Sequence, residues 1–377
     1  MAQGARFHAL DSLRGVCALA VVLYHLHVVG SVTELPFFQS ADLFVDFFFV
    51  LSGFVITHAY GNRRDLDFRK FFILRTFRLA PLHVVLLAAF ILFEFVKWAA
   101  WQKGFAFNKE PFSGMYAPSQ ILPNLLLIQA WTALTENLSF NYPSWSISIE
   151  YYTYLIFAAL LMFSPVRRKF MWAGVALLGF VMLEQPPGLF SVYAYKGLSC
   201  FFAGALCHTA FQAASVRARP GFVLASVLEV CSFGLVVLVL SLPLPGKNLI
   251  ASLLFCAVVT LFAFDAGVVS KVLKENVFAL LGRLSYSIYM THVIILSSLT
   301  LGAMIAQKYS GRELAPLLAG VRYFDSGSVL INNLIVVLVV LMVVAVSAVT
   351  YQLIEVNGQR LGRFLINARQ PKAPALT

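Results

Sequence analysis

The sequence predicts an all-α polytopic integral membrane protein with about ten transmembrane helices. Three observations carry that prediction. Residues are 60% hydrophobic, mean hydropathy is +0.82 and only 12% are charged, whereas a soluble domain is nearer half apolar and a quarter charged. Apolar runs recur from end to end, each near the ~20 residues that cross about 30 Å of hydrocarbon. Basic residues gather in alternate loops, as a multi-pass topology demands.

The first run, "LDSLRGVCALAVVLYHLH" (Leu10 to His27), opens a span at about 9–30. It has no small-residue cleavage site, and polar groups stud its apolar region, so it reads as a span rather than a cleavable signal. Further spans are read at 41–60, 79–98, 143–164, 170–185, 193–212, 221–242, 249–267, 284–306 and 329–356. The apolar piece "PSQILPNLLLIQAWT" (Pro118 to Thr132) is short and contains Pro123.

Charge decides its role. With a cytoplasmic N-terminus, 20 of the 28 basic residues fall inside. They include Arg63, Arg64, Arg69, Lys70, Arg75 and Arg78, the run Arg167 to Lys169, and the tail residues Arg360, Arg363, Arg369 and Lys372. A full crossing by 119–134 would move every later basic loop outside. That segment is therefore expected to be re-entrant or interfacial, with both termini cytoplasmic. Residues 1–360 then form one membrane domain, and 361–377 a short basic cytoplasmic tail too short to fold alone. No appended soluble domain is expected.

The net charge of +11 is mostly this inside bias, which leaves no role for nucleic acid. The five cysteines, Cys17, Cys200, Cys207, Cys231 and Cys256, lie in apolar runs without metal-ligand spacing. They read as small buried residues, and no metal is expected.

Ionisable groups inside the spans are the chemical signal, because they are costly in lipid. Arg14 and His25 are 11 residues apart, which puts them on one helix face and about 16 Å apart along the axis. His25 then lies roughly 8 Å below the outer end of its span. Asp46 on the second span sits at a similar depth, and Glu150 on the fourth about 10 Å down. An imidazole and two carboxylates at one level suggest a general base oriented by a carboxylate. Arg75 and Arg78, at i and i+3, suit a phosphate clamp at the cytoplasmic rim. Ser52 is a weak nucleophile candidate without a strand-to-helix elbow. Tyr286, Tyr289 and His292 form a polar stripe on the ninth span.

Five motifs occur in order: "LDSLRG" with Arg14-x10-His25, "VDFFFVLSGFVI" (Val45 to Ile56), "RTFRLAPLH" (Arg75 to His83), "SWSISIEYYTYL" (Ser144 to Leu155) and "LGRLSYSIYMTH" (Leu281 to His292). Together they resemble the acyltransferase-3 family of bacterial membrane O-acyltransferases over about residues 8–360. Departures are Ser12 for a usual glycine, Tyr151 for a frequent second glutamate, His83 for an aromatic, and "IEVNGQR" (Ile354 to Arg360) for the usual E-x-P ending. The resemblance implies that His25 is the essential histidine and Arg14 its motif partner. It likewise implies that Arg75 and Arg78 are the basic motif, and Glu150 the acidic residue of the motif holding Trp145.

It further implies a multi-pass protein of the bacterial inner membrane that transfers an acyl, most often acetyl, group from cytosolic acyl-CoA. The acceptor would be a carbohydrate hydroxyl on a surface polysaccharide, a lipid-linked sugar or a glycolipid. Expected roles follow. His25, Glu150 and Asp46 are catalytic, and Arg14, Arg75 and Arg78 bind acetyl-CoA. Ser52, Trp145, Tyr286 and His292 contact acceptor or oxyanion. Membrane lipids and a second copy, as a homodimer, are the other expected partners. The rival class is a transporter or flippase for a lipid-linked sugar, which would use the same buried polar groups. Such proteins often show paired repeats with broken helices, and neither is visible in this sequence.

Overall fold

The computed structural model describes residues 6–368 except 62–65, 106, 108, 185, 187 and 218. Arg63, Arg64, Arg369 and Lys372 lie outside the described residues. The described chain is overwhelmingly helical. In order, the helices are α1 (His8–His25), α2 (Phe44–Tyr60), α3 (Phe68–Gln102), α4 (Ile121–Leu125), α5 (Ser144–Leu160), α6 (Pro165–Glu184) and α7 (Val192–Arg217). They continue with α8 (Phe222–Ser241), α9 (Lys247–Phe262), α10 (Val268–Leu273), α11 (Asn276–Ser310), α12 (Val329–Thr350) and α13 (Val356–Asn367). A single π-turn, Tyr351–Glu355, joins the last two. One two-stranded hairpin, β1 (Leu317–Leu318) and β2 (Val321–Arg322), lies between α11 and α12.

Each predicted span is occupied by a helix. By length and hydropathy, five stretches are able to cross a membrane: Phe38–Tyr60, Phe68–Gln102, Phe222–Ser241, Asn276–Ser310 and Val329–Asn367. The helices at the other five are shorter or carry more polar groups. Lipid-facing apolar side chains such as Leu92, Leu177, Val223 and Leu338 are exposed on the bundle's outer surface, as a multi-pass membrane protein requires.

Several boundaries differ from expectation. The first helix stops at His25, because Leu26 is extended and His27 joins the neighbouring chain. The third helix begins at Phe68, so Pro81 is interior rather than in the first turn. Gly358 and Gly362 of α13 pack against Pro81 and Phe77 there. The last helix also runs through residue 360, so the predicted tail begins helical.

The 119–134 segment forms short 3-10 turns and the five-residue α4 rather than a long helix. Its irregular backbone is satisfied by side chains of its neighbours. His83 of α3 bonds the Asn124 carbonyl at 2.8 Å, and Ser148 of α5 donates to the Leu127 carbonyl at 2.7 Å. Trp131 Nε1 donates to the Ser148 carbonyl at 3.0 Å.

The crossing that positions the site joins α1 and α11. A Cβ on Gly15 would stand 2.3 Å from the Leu281 carbonyl carbon, and one on Gly282 would stand 2.4 Å from the Asp11 carbonyl oxygen. The two backbones touch because both residues lack a side chain. Gly53 and Gly204 do the same for α2 and α7.

Candidate active site

That close crossing carries two polar contacts, one at each end of α1. Near the start, Arg14 Nε donates to Ser285 Oγ at 2.8 Å and a terminal nitrogen donates to the Gly282 carbonyl at 3.3 Å. At the end, His25 Nδ1 lies 3.0 Å from His292 Nε2, with the rings stacked at 5.1 Å. Arg14 and His25 thus face the same helix, as the 11-residue spacing predicts.

The protons on the histidine pair can be assigned by elimination. His292 Nδ1 is 3.3 Å from the Ile288 carbonyl, which can only accept. His292 therefore carries its proton on Nδ1 and presents a lone pair on Nε2. His25 donates to it from Nδ1. In this tautomer His25 Nε2 is unprotonated.

Two cavities lie along α1 and α11. The first, about 410 Å³, is lined by Arg6, Arg14, Arg75 and Arg78 against two carboxylates, Asp11 and Glu150. Ser52, Tyr154, Ser285, Tyr286 and Tyr289 also border it. The second, about 550 Å³, has His25 and His27 in its wall, together with aromatic groups including Tyr116, Tyr142 and Phe324. Tyr289, in the wall of the first, has its ring 6.1 Å from that of His292, and Tyr142, in the wall of the second, has its ring 4.8 Å from that of His25. Helices α1 and α11 line both cavities.

In the first cavity Arg75 rests against Tyr60, Phe71 and Tyr154 through cation–π contacts of 5.5–5.6 Å. Its Nε is buried without an acceptor among the described residues. Arg78 interacts electrostatically with Glu355 on the π-turn and with Glu150. Glu355 is buried and accepts from Ser287 Oγ at 3.1 Å. A π-turn inserts an extra residue into the helix, and such turns recur at functional sites.

The two carboxylates expected beside His25 lie elsewhere. Asp46 is fully buried, paired with Lys196 of α7 at 2.9 Å and bonded by Ser252 of α9 at 2.9 Å. Glu150 accepts from the hydroxyls of Ser52 and Tyr154. Equal depth does not fix a residue's angle around the bundle, so the histidine's ring partner is His292 rather than a carboxylate. Asp11 pairs with Arg6 at 2.7 Å instead of with Arg14.

The remaining candidates divide. The hydroxyl hydrogens of Ser52 and Tyr286 are spent on Glu150 and on the Leu79 carbonyl (2.6 Å for the latter). Neither is then free to donate to an oxyanion. Trp145 packs against Tyr193 at 4.5 Å and Phe49 at 5.9 Å, outside both lining sets. Sequence reasoning missed Glu94, Lys97, Tyr116 and Tyr142 in the second cavity. His27 also lines that cavity.

Outside the spans, burial raises the Tyr142 phenol. Burial, with help from Glu94, raises the Tyr116 phenol to about 12. Both meet a ligand as neutral hydrogen-bonding groups near pH 7.

Comparison with known proteins gives these features a frame. A family described as "Acyltransferase domain" matches residues 7–352. The provisionally named peptidoglycan O-acetyltransferase YrhL of Bacillus subtilis is 32% identical over 40% of this chain and 23% of its own length. Acyltransferase MdmB of Streptomyces mycarofaciens is 33% identical over 45% of this chain and 44% of its own. Peptidoglycan O-acetyltransferase OatA of Listeria monocytogenes is 26% identical over 41% of this chain and 24% of its own. The chain thus spans less than half the length of each of these relatives. No solved structure matches significantly. The family match spans helices α1 to α11 with the histidine pair they carry, and the chain belongs to the acyltransferase-3 family.

Proposed function

We propose that this protein is an O-acyltransferase that moves an acetyl group from cytosolic acetyl-CoA to a hydroxyl of an extracytoplasmic or lipid-linked carbohydrate. One observation carries the reading: His25, hydrogen-bonded to His292, lines an aromatic cavity, while Arg14 on the same face of α1 lines an arginine-rich one. All ten long helices are read as spans of a bacterial inner membrane. Both termini are then cytoplasmic, and 119–134 is a buried re-entrant or interfacial segment.

The first cavity suits the donor. Acetyl-CoA would bring phosphates and an activated thioester on a long thin arm. Arg75, Arg78 and Arg14 supply planar donors that bind phosphate bidentately, and the unspent Nε of Arg75 fits that use. The arm reaches the histidine pair past Tyr289. In the second cavity the acceptor hydroxyl lies at His25. Nε2 takes its proton as the oxygen bonds to the acyl carbon and the C–S bond breaks. His25 then returns the proton to the departing thiolate. His292 holds the His25 ring and keeps its proton on Nδ1, the task first expected of a carboxylate. Glu150, bonded by Ser52 and Tyr154, balances charge among the arginines instead.

The transporter reading uses the same buried groups but requires no thioester cleavage. Purified protein in lipid nanodiscs, given acetyl-CoA and an alkyl glycoside, should release free thiol and form the acetylated glycoside together. Movement of the glycoside across vesicles with no thiol release would reverse the assignment.

A further inference from the structure

The charge around the second cavity goes beyond what acetyl transfer needs. Glu94 is its only lining carboxylate among the described residues. It is fully used: Oε1 bonds Lys97 at 2.7 Å and Oε2 accepts from the Phe112 amide at 3.0 Å. Lys97 is further covered by the Tyr116 ring at 4.7 Å. The other cations have no carboxylate partner among the described residues. Lys109 lines the cavity and is exposed. Arg322, on β2, spends one N–H on the Ala315 carbonyl at 3.0 Å, leaving most of its five donors. An adjoining hollow of about 170 Å³ shares Met304 and Arg322 and adds Lys308.

The location makes this uneven. In the topology read above, only eight of the 28 basic residues fall on the outer side. Four of them, Lys97, Lys109, Lys308 and Arg322, border this cavity and its hollow. The inside bias gives no reason for basic residues there. Ordinary solvated lysines would not collect around one aromatic cavity with the His25 imidazole in its wall.

We infer that the acceptor is an anionic saccharide, its carboxylate or phosphate held by Lys109, Lys308 and Arg322 while the hydroxyl to be acylated lies at His25. The inference rests on the transfer reading, and it names the substrate class. Tyr116 and Tyr142 supply ring faces for the sugar, and Phe90 and Phe93 of α3 supply apolar wall for an attached chain.

The test is equilibrium binding to the full chain in nanodiscs of neutral lipid, without acetyl-CoA. The probes are octyl β-glucuronide, octyl glucoside 6-phosphate and octyl β-glucoside. At low salt at least one anionic probe should bind about tenfold tighter than the neutral one, the scale of one charge-assisted contact. Arg322→Ala and Lys308→Ala should each reduce that ratio to about twofold or less, and salt near 0.5 M should compress it. Equal affinity for all three probes, or variants that weaken every probe alike, would overturn the inference. Loss of the preference when phosphatidylglycerol is added to the discs would assign the cations to lipid headgroups and overturn it too. A lost preference with acetyl transfer intact defeats this inference alone. A kept preference with no thiol release defeats the transfer reading alone.

Discussion

In the proposed transfer, the contact between His25 and His292 is the one on which the chemistry turns. The Ile288 carbonyl fixes the tautomer of one ring, that ring fixes the other, and the last nitrogen is left unprotonated. His292 is a positioning residue in this scheme, since it acts through His25. Replacing it with Ala should lower kcat by about 10–100-fold, within the range that general-base catalysis supplies, with KM for both substrates within about twofold. His292→Gln, whose amide oxygen can still accept from His25, should recover part of the loss. Steady-state kinetics on both variants checks this, and an unaltered kcat in His292→Ala would reject the role. Part of this was legible beforehand. Helical spacing alone put Arg14 and His25 on one face, and Tyr286, Tyr289 and His292 on one stripe. That those two faces meet is a tertiary fact, which no local pattern encodes. Asp46 shows the limit: its depth matched His25, yet Lys196 on α7 neutralises it elsewhere in the bundle.

At the scale of elements, the α1–α11 crossing sets the spacing of both contacts. Its backbones touch at Gly15 and Gly282, where any added Cβ meets main-chain atoms rather than a yielding side chain. Gly282→Val should therefore cost about 1–3 kcal/mol, as overpacking usually does, and should depress transfer through Arg14 and His25 together. Thermal unfolding in detergent measures the first effect, and a fully stable variant would contradict the packing. Long apolar helices were the most legible elements, because hydropathy and length determine them. The 119–134 segment was legible only as something other than a span. Its course is written in side-chain bonds from His83, Ser148 and Trp131, which carry no periodic signal. The third helix begins 11 residues before the predicted span at 79, and that extension makes Arg75 and Arg78 helical cavity residues.

Across the whole molecule, the two cavities lie along the same pair of helices, with Arg14 in the wall of the first and His25 in the wall of the second. The outer one is covered by the 317–324 chain, which is stitched to the end of α1. Phe324 N donates to the His27 carbonyl at 2.9 Å, and Val29 N donates to the Phe324 carbonyl at 3.0 Å. In the proposed transfer only the acyl group would cross, while the bulky anionic donor and the sugar would stay on their own sides. Charge asymmetry in the sequence pointed to the sides. It could not reveal the outer cavity, because Glu94, Lys97, Lys109, Lys308 and Arg322 come from widely separated segments and gather only on folding. The central claim is that His25, in the wall of the second cavity, is the base of the proposed transfer. Its most direct test compares acetyl transfer by wild type and His25→Ala in nanodiscs, with acetyl-CoA binding and thermal unfolding measured on the same preparations. The account predicts a folded variant that still binds acetyl-CoA and has lost about 10²-fold or more of its transfer rate; a folded, donor-binding His25→Ala protein with normal transfer would contradict it.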